Sequence, residues 1–445
     1  MRALVLAAVA GLAAAPAAAQ LGSHNPLPGP RGTFVIQNAR IVPVSGAVIP
    51  RGSVVIQDGR IAAVGATVTA PAGAQVIDAT GLSVYPGMMD AGTTMGLNEI
   101  PQGANATVDA SEVGSWNPNA MALWGFNPHS AHIGVTRVVG ITHVISSPTG
   151  GILSGTSALM NMAGATAPEM VLRDRAALVV NLPRQGGGGG FGGGGGGFGG
   201  GGGGGGADAA RRITAQRDSL KALLRDALAY GAAHEAFARD PSLPRPRQDR
   251  ALAALVPLAR GEVPALLPAD RAADIRDAIE FAREANLKPI IVGGRDAWQV
   301  TDLLKQYDVP VLLGSVMELP SREDDPYDVN YAAPARLAEA GVRFAITSGD
   351  AGAETRNLPY VAGMAAAFGL SPEAALRAVT LAPAEIFGVA DRLGSIEVGK
   401  VANLVVTTGD LLEARTDTRY LFIDGRPVPL GTRHTDLYDF FKGRK

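Results

Sequence analysis

The chain has 445 residues, 47% hydrophobic and 18% charged, with 39 Lys and Arg against 41 Asp and Glu and no cysteine. The apolar fraction rules out wholesale disorder, and the net charge of −2 leaves no electrostatic footprint for nucleic acid. Without cysteine there is no disulfide scaffold, thiolate nucleophile, Cys-ligated zinc or iron–sulfur cluster.

Arg2, the apolar run 3–15, Pro16 and Ala17-Ala18-Ala19 form, in order, the parts of a secretory signal peptide spanning residues 1–19. Export is therefore expected. The bias toward Ala, Gly and Arg points to the periplasm. No later run of eighteen apolar residues follows, so no transmembrane segment is expected.

Alternating apolar runs at 34–44 and 53–64 predict strands, the second split by the hairpin signal Asp58-Gly59. Residues 403–407 and 420–423, followed by Asp424-Gly425, repeat that pattern at the far end. Both ends together predict one small β domain with the middle of the chain inserted into it. In the middle, strands at 264–267, 289–292, 309–313 and 342–347 alternate with helices at 272–285, 297–307 and 332–340. A further helix starts at Asn357. This spacing predicts parallel βαβ units. Residues 186–206 comprise nineteen glycines with Phe191 and Phe198. Lacking the Lys-Ser/Thr of a phosphate loop, they read as a disordered surface insert before a helix at 209–230, the alternative being a mobile lid.

Three stretches carry a family resemblance. Gly81 to Glu99 reads Gly-Leu-Ser-Val-Tyr-Pro-Gly-Met-Met-Asp-Ala-Gly-Thr-Thr-Met-Gly-Leu-Asn-Glu. Residues 345–350 and the stretch from Gly369 (Gly-Leu-Ser-Pro-Glu-Ala-Ala-Leu-Arg-Ala-Val-Thr) form the second. The third begins at Gly394 (Gly-Ser-Ile-Glu-Val-Gly-Lys-Val-Ala-Asn-Leu-Val-Val). Over about residues 33–430 the chain resembles the amidohydrolase superfamily, in particular its imidazolonepropionase-like members. The resemblance implies a (β/α)8 TIM barrel at 86–392, with its site at the C-terminal strand ends. It also implies a β-sandwich domain assembled from 33–85 and 393–430.

The family's activity is hydrolysis of carbon–nitrogen bonds, other than ordinary peptides, with one or two divalent metals such as zinc. Its imidazole positions correspond here to Gly92, Thr94, Pro268 and Gly293, and no lysine occurs between residues 1 and 220. Gly and Pro offer no ligand, and Thr is a poor one for zinc or iron. The expectation is a degenerate metal site, no cofactor, and Asp350 as the surviving catalytic residue. Two readings follow: a carbon–nitrogen hydrolase, or a non-catalytic barrel that binds a ligand or partner. The remaining candidates lie after the first barrel strand. Glu99, His129 and His132 are candidate substrate contacts, the two histidines sharing a face if helical. Asp109 and Glu112 are further loop carboxylates. A small-molecule ligand and a homo-oligomer complete the expectations.

Overall fold

The computed structural model describes residues 25–100, 107–184, 206–314, 316–349 and 351–444. The expected signal peptide at 1–19, nearly all of the glycine-rich insert at 186–206, and Asp350 lie outside the described residues.

The chain opens with β1 (Phe34–Ile41), β2 (Ile49–Gln57), β3 (Arg60–Gly65), β4 (Gln75–Asp78) and β5 (Ser83–Pro86). It continues with β6 (Met88–Thr93), β7 (Ile141–Ser146), β8 (Leu153–Asn161), β9 (Val171–Val180), β10 (Ala265–Ala269), β11 (Pro289–Gly293), β12 (Val311–Leu313) and β13 (Phe344–Ile346). It closes with β14 (Leu404–Thr407), β15 (Thr418–Ile423) and β16 (Arg426–Pro427).

One sheet joins the two ends of the chain in the order β16-β15-β14-β5-β1-β2-β3, with β4 alongside β1. Its core of Phe34, Ile36, Val54, Ile56, Val84, Leu404, Val406 and Phe422 is the inward half of the alternation seen in the sequence. Phe34 meets Phe422 edge-on with ring centroids 5.3 Å apart. The two Asp-Gly turns also meet. All four of their residues have positive φ, and a Cβ on Gly425 would lie 2.5 Å from Gly59 Cα, so only glycine fits both the turn and the approach.

The second sheet is the eight-stranded barrel, in the order β13-β12-β11-β10-β9-β8-β7-β6 and nearly closed. β9 to β13 pair parallel, as do β6 and β7. The departure from eight parallel strands is β8, which runs antiparallel to both β7 and β9. Its connections, 147–152 and 162–170, are too short for the crossover that parallel strands need. Met89, Ala91, Ile145, Leu159, Ala177, Leu266, Ile290, Leu312 and Ala345 fill the interior, together with Ala384, Phe387, Val389 and Leu393 from the segment after β13. Outward-facing Leu267, Ile291, Val311 and Ile346 pack under the helices, among them Ala272–Glu284 and Val329–Glu339. The helix expected at 209–230 runs longer, Gly206–Arg239, and that expected at 297–307 is a 3-10 turn followed by Thr301–Gln306.

The open seam between β6 and β13 is bridged by side chains. Ser348 Oγ donates to the Asp90 carboxylate, and the Thr93 and Thr355 hydroxyls are 2.8 Å apart. A buried polar cluster ties the barrel to the composite sheet. Asn403 Nδ2 donates to His143 Nε2 and to Asn161 Oδ1 at 3.1 Å, while Asn403 Oδ1 accepts the Asp424 N–H at 2.6 Å. Burial pushes His143 down to about 3, so the ring is neutral, with Nδ1 2.8 Å from Thr142 Oγ1.

Candidate functional site

The C-terminal strand ends form the barrel mouth. Within β6, Asp90 is fully buried, and its carboxylate accepts the Gly92 N–H at 3.3 Å as well as the Ser348 hydroxyl. Thr93 Oγ1 accepts the Met95 N–H at 3.2 Å, and the backbone of Thr94 accepts that of Leu97 at 2.9 Å. Gly92 and Thr94 therefore sit in a tight, buried turn against the segment around Gly352, where an added Cβ would lie 3.0 Å from Met95 Cα.

Across the mouth, β10 and β11 pair in register, with Pro268 opposite Val292 and Ala269 opposite Gly293. The Pro268 carbonyl accepts from Arg184 Nη2. The next residue after β10, Asp270, carries the carboxylate nearest Gly293. A Cβ added at Gly293 would overlap Asp270 Oδ1 and lie 3.1 Å from its Cγ. Gly293 also has φ +92°, which disfavours any side chain there. Burial raises the Asp270 pKa, partly opposed by the Arg295 charge and backbone N–H and by Arg184. Arg184 and Arg295 each retain a buried Nε without an acceptor. Further out, Asp296 caps the turn before Ala272–Glu284 through the Ala272 N–H at 3.3 Å and pairs with Arg322 at 2.5 Å.

The loop after β6 supplies a third group. Glu99, His129 and His132 come together, but as a helix start. Glu99 accepts the Ala131 N–H at 3.3 Å and Asn127 Nδ2 at 3.4 Å, and its carbonyl lies 3.2 Å from His132 Nε2. The helix is Ala131–Arg137, so His129 precedes it and the two histidines do not share a helical face. The same loop lines a cleft of about 560 Å³, bounded by Asp109, Ser111, Glu112, Asn117, Trp124 and Pro148 among others. Glu99, His129 and His132 are not among its lining residues. Bridges from Ser111 to Thr149 and from Trp116 to Leu153 hold the loop against the C-terminal end of β7 and the start of β8, placing the cleft on the mouth side.

Sequence reasoning passed over Asp90, Asp270, Arg184 and Arg295. The available signal was position: Asp270 is the first charged residue after an apolar strand, where parallel barrels carry chemistry.

Residues 273–428 match the amidohydrolase family model. No curated protein sequence matches the chain. Among solved structures, an amidohydrolase from Thermotoga maritima superposes with a TM-score of 0.75 at 23% identity, covering 89% of this chain and 99% of that one. Molinate hydrolase superposes with a TM-score of 0.54 at 18% identity, covering 90% and 95%. An adenosine deaminase from Xanthomonas campestris, described with bound Zn, gives 0.49 at 17% identity, covering 93% and 98%.

These findings correct one expectation. The expectation of no cofactor does not stand, because residues 273–428 match the amidohydrolase family model and the resemblance to that family implies one or two divalent metals. The residues described here nevertheless do not fit a histidine-ligated metal. Gly92, Pro268 and Gly293 carry no donor, the space beside Gly293 holds the Asp270 carboxylate, and no group of three or more His, Asp or Glu is assembled among the described residues. Among the described residues no helix is long and apolar enough to cross a membrane. Residues 273–428 are thus similar to the amidohydrolase family, and the chain shares the barrel fold of the superposed structures, together with a second sheet drawn from both its ends.

Proposed function

We propose that the protein is an exported amidohydrolase-family hydrolase acting on carbon–nitrogen bonds other than ordinary peptides. The observation that carries this reading is the open cleft of about 560 Å³ on the mouth side of a barrel whose second half matches the family. Barrels of this kind carry their chemistry on that face. The cleft brings Asp109 and Glu112 together with Asn117, Asn119 and the exposed Trp124, and no Lys or Arg is among its lining residues. Such a lining repels anions and suits a neutral or cationic nitrogen compound with a flat face to stack on Trp124.

The test is a panel of amides, carbamates, ureas and cyclic imides incubated with the purified protein, reading release of amine or ammonia. Turnover of at least one class is expected. A second reading, a ligand-binding barrel without catalysis, is favoured by Gly92, Thr94, Pro268 and Gly293, four family ligand positions without an imidazole. Panel compounds that raise the melting temperature without being consumed would select it. Export is checked by the intact mass of protein recovered from a bacterial periplasm, which should lack residues 1–19.

A further inference from the structure

We propose that the last turn of the helix Arg433–Phe441, with the residues that follow it, docks the protein on the surface of a bilayer containing anionic phospholipid. This face is separate from the cleft and does not depend on the hydrolase reading. The helix is fixed at its start. Thr432 Oγ1 accepts the Thr435 N–H at 3.2 Å, and Thr435 Oγ1 accepts the Thr432 N–H at 2.9 Å, a reciprocal cap on a buried threonine. Asp436 and Leu437 are half-buried, and the helix packs against Ala131–Arg137. No residue of the helix is fully buried, and its last turn projects outward: Tyr438 is 69% exposed, Phe440 57% and Phe441 46%. Among the described residues no other four-residue stretch exposes three large apolar side chains. A group of exposed rings marks an interaction surface, unlike apolar side chains exposed singly.

The charges around the rings identify what covers them. Lys442 Nζ lies 5.7 Å from the centre of the Tyr438 ring, and the Arg444 guanidinium lies 5.2 and 4.7 Å from those of Phe440 and Phe441. Lys442 also pairs with Asp439 at 2.7 Å. From Arg433 on, the sequence carries four Lys and Arg against two Asp, a side-chain charge of +2 in a chain of net charge −2. At a bilayer surface the rings enter the boundary with the acyl chains, while the cations beside them stay among the phosphates. Each Lys or Arg gains there from the negative surface potential. A second copy meeting this face across a two-fold axis would set the same cations against one another, and an apolar protein groove would strip them of water. A nine-residue helix is too short to span a bilayer, so the contact is peripheral.

The test is flotation of the purified full chain with vesicles of phosphatidylcholine alone or with about 30% phosphatidylglycerol. At about 50 mM salt, about fivefold more protein or better should float with the anionic vesicles, and about 500 mM salt should release most of it. Tyr438→Ser, Phe440→Ser and Phe441→Ser together should lower the bound fraction about fivefold or more. Arg433→Gln, Lys442→Gln and Arg444→Gln together should abolish the preference for anionic vesicles. Because these three side chains are exposed, the melting temperature should stay within about 2 °C of the wild type. No flotation, equal flotation with both vesicles, or wild-type binding by either variant overturns the proposal. So does a concentration-dependent dimer that disperses in the ring variant, which would make a second copy the cover.

Discussion

The two halves of the barrel are built from different material. From β10 to β13 the strands carry no polar side chain at all: Ala-Leu-Leu-Pro-Ala, Pro-Ile-Ile-Val-Gly, Val-Leu-Leu and Phe-Ala-Ile. β7 and β8 are buried along their whole length yet contain Thr142, His143, Ser146, Ser154, Thr156, Ser157 and Asn161. The first half of this contrast is the ordinary parallel arrangement, covered on both faces and held by apolar packing. The second is a set of hairpins in which a β8 reversed in direction is locked by named hydrogen bonds. Polar groups buried in this way specify a register because each mispairing leaves one unsatisfied. The family match begins at residue 273, inside the apolar half, and does not reach β7 or β8.

The largest expected effect is on the polar side. Asn403→Leu removes the donor to His143 and Asn161 and the acceptor for the Asp424 N–H, and should cost about 4 kcal/mol of stability in urea unfolding. A loss below about 1 kcal/mol would mean the cluster does not hold the barrel to the composite sheet. On the apolar side, Leu266→Ala empties a fully buried interior position and should cost about 3 kcal/mol, with no dependence on pH. If it proves as costly as Asn403→Leu, the contrast between the halves loses its energetic content.

The His143 ring gives the comparison a pH signature. Its folded pKa is about 3 against about 6.5 when unfolded, so between those values the unfolded chain binds one more proton than the native one. Stability is therefore lost as pH falls from about 6.5 toward 3, by up to about 1.4 kcal/mol per unit from this group. The His143→Gln variant should show a flatter stability curve across pH 6.5–4 than the wild type, and parallel curves would rule out a neutral buried ring. The smallest effect is expected at the helical cover of the apolar half. Asp249 accepts the Ala251 and Leu252 N–H groups at 2.9 and 3.0 Å as the N-cap of Arg250–Ala259, and Asp249→Ala should cost about 1 kcal/mol in the same unfolding assay.

The apolar half was the legible half. Short apolar runs at 20–30-residue spacing translate directly into β10 to β13 and their helices, since buried parallel strands need little more than hydrophobic residues of the right length. β7 and β8 gave no such signal, because Ser, Thr, His and Asn inside a strand read as surface until their partners are known. The site divided in the same way. The positions Gly92, Thr94, Pro268 and Gly293 were readable from motif order, whereas Asp270 became a candidate only through its contact with Gly293.

By itself, then, the sequence determined what is local along the chain. That includes the alternation that builds the composite sheet, the Asp58-Gly59 and Asp424-Gly425 turns, and the strand and helix order of residues 264–347. These depend on backbone preferences and on burial repeated every two or three to four residues, which a few neighbouring side chains specify. Tertiary structure alone decided the reversed direction of β8, the pairing of His143 with Asn403 across 260 residues, and the placing of Asp270 in the space beside Gly293. Each of these depends on strand register in a sheet wound nearly closed, and register fixes which distant residues share a space only once every strand is in place.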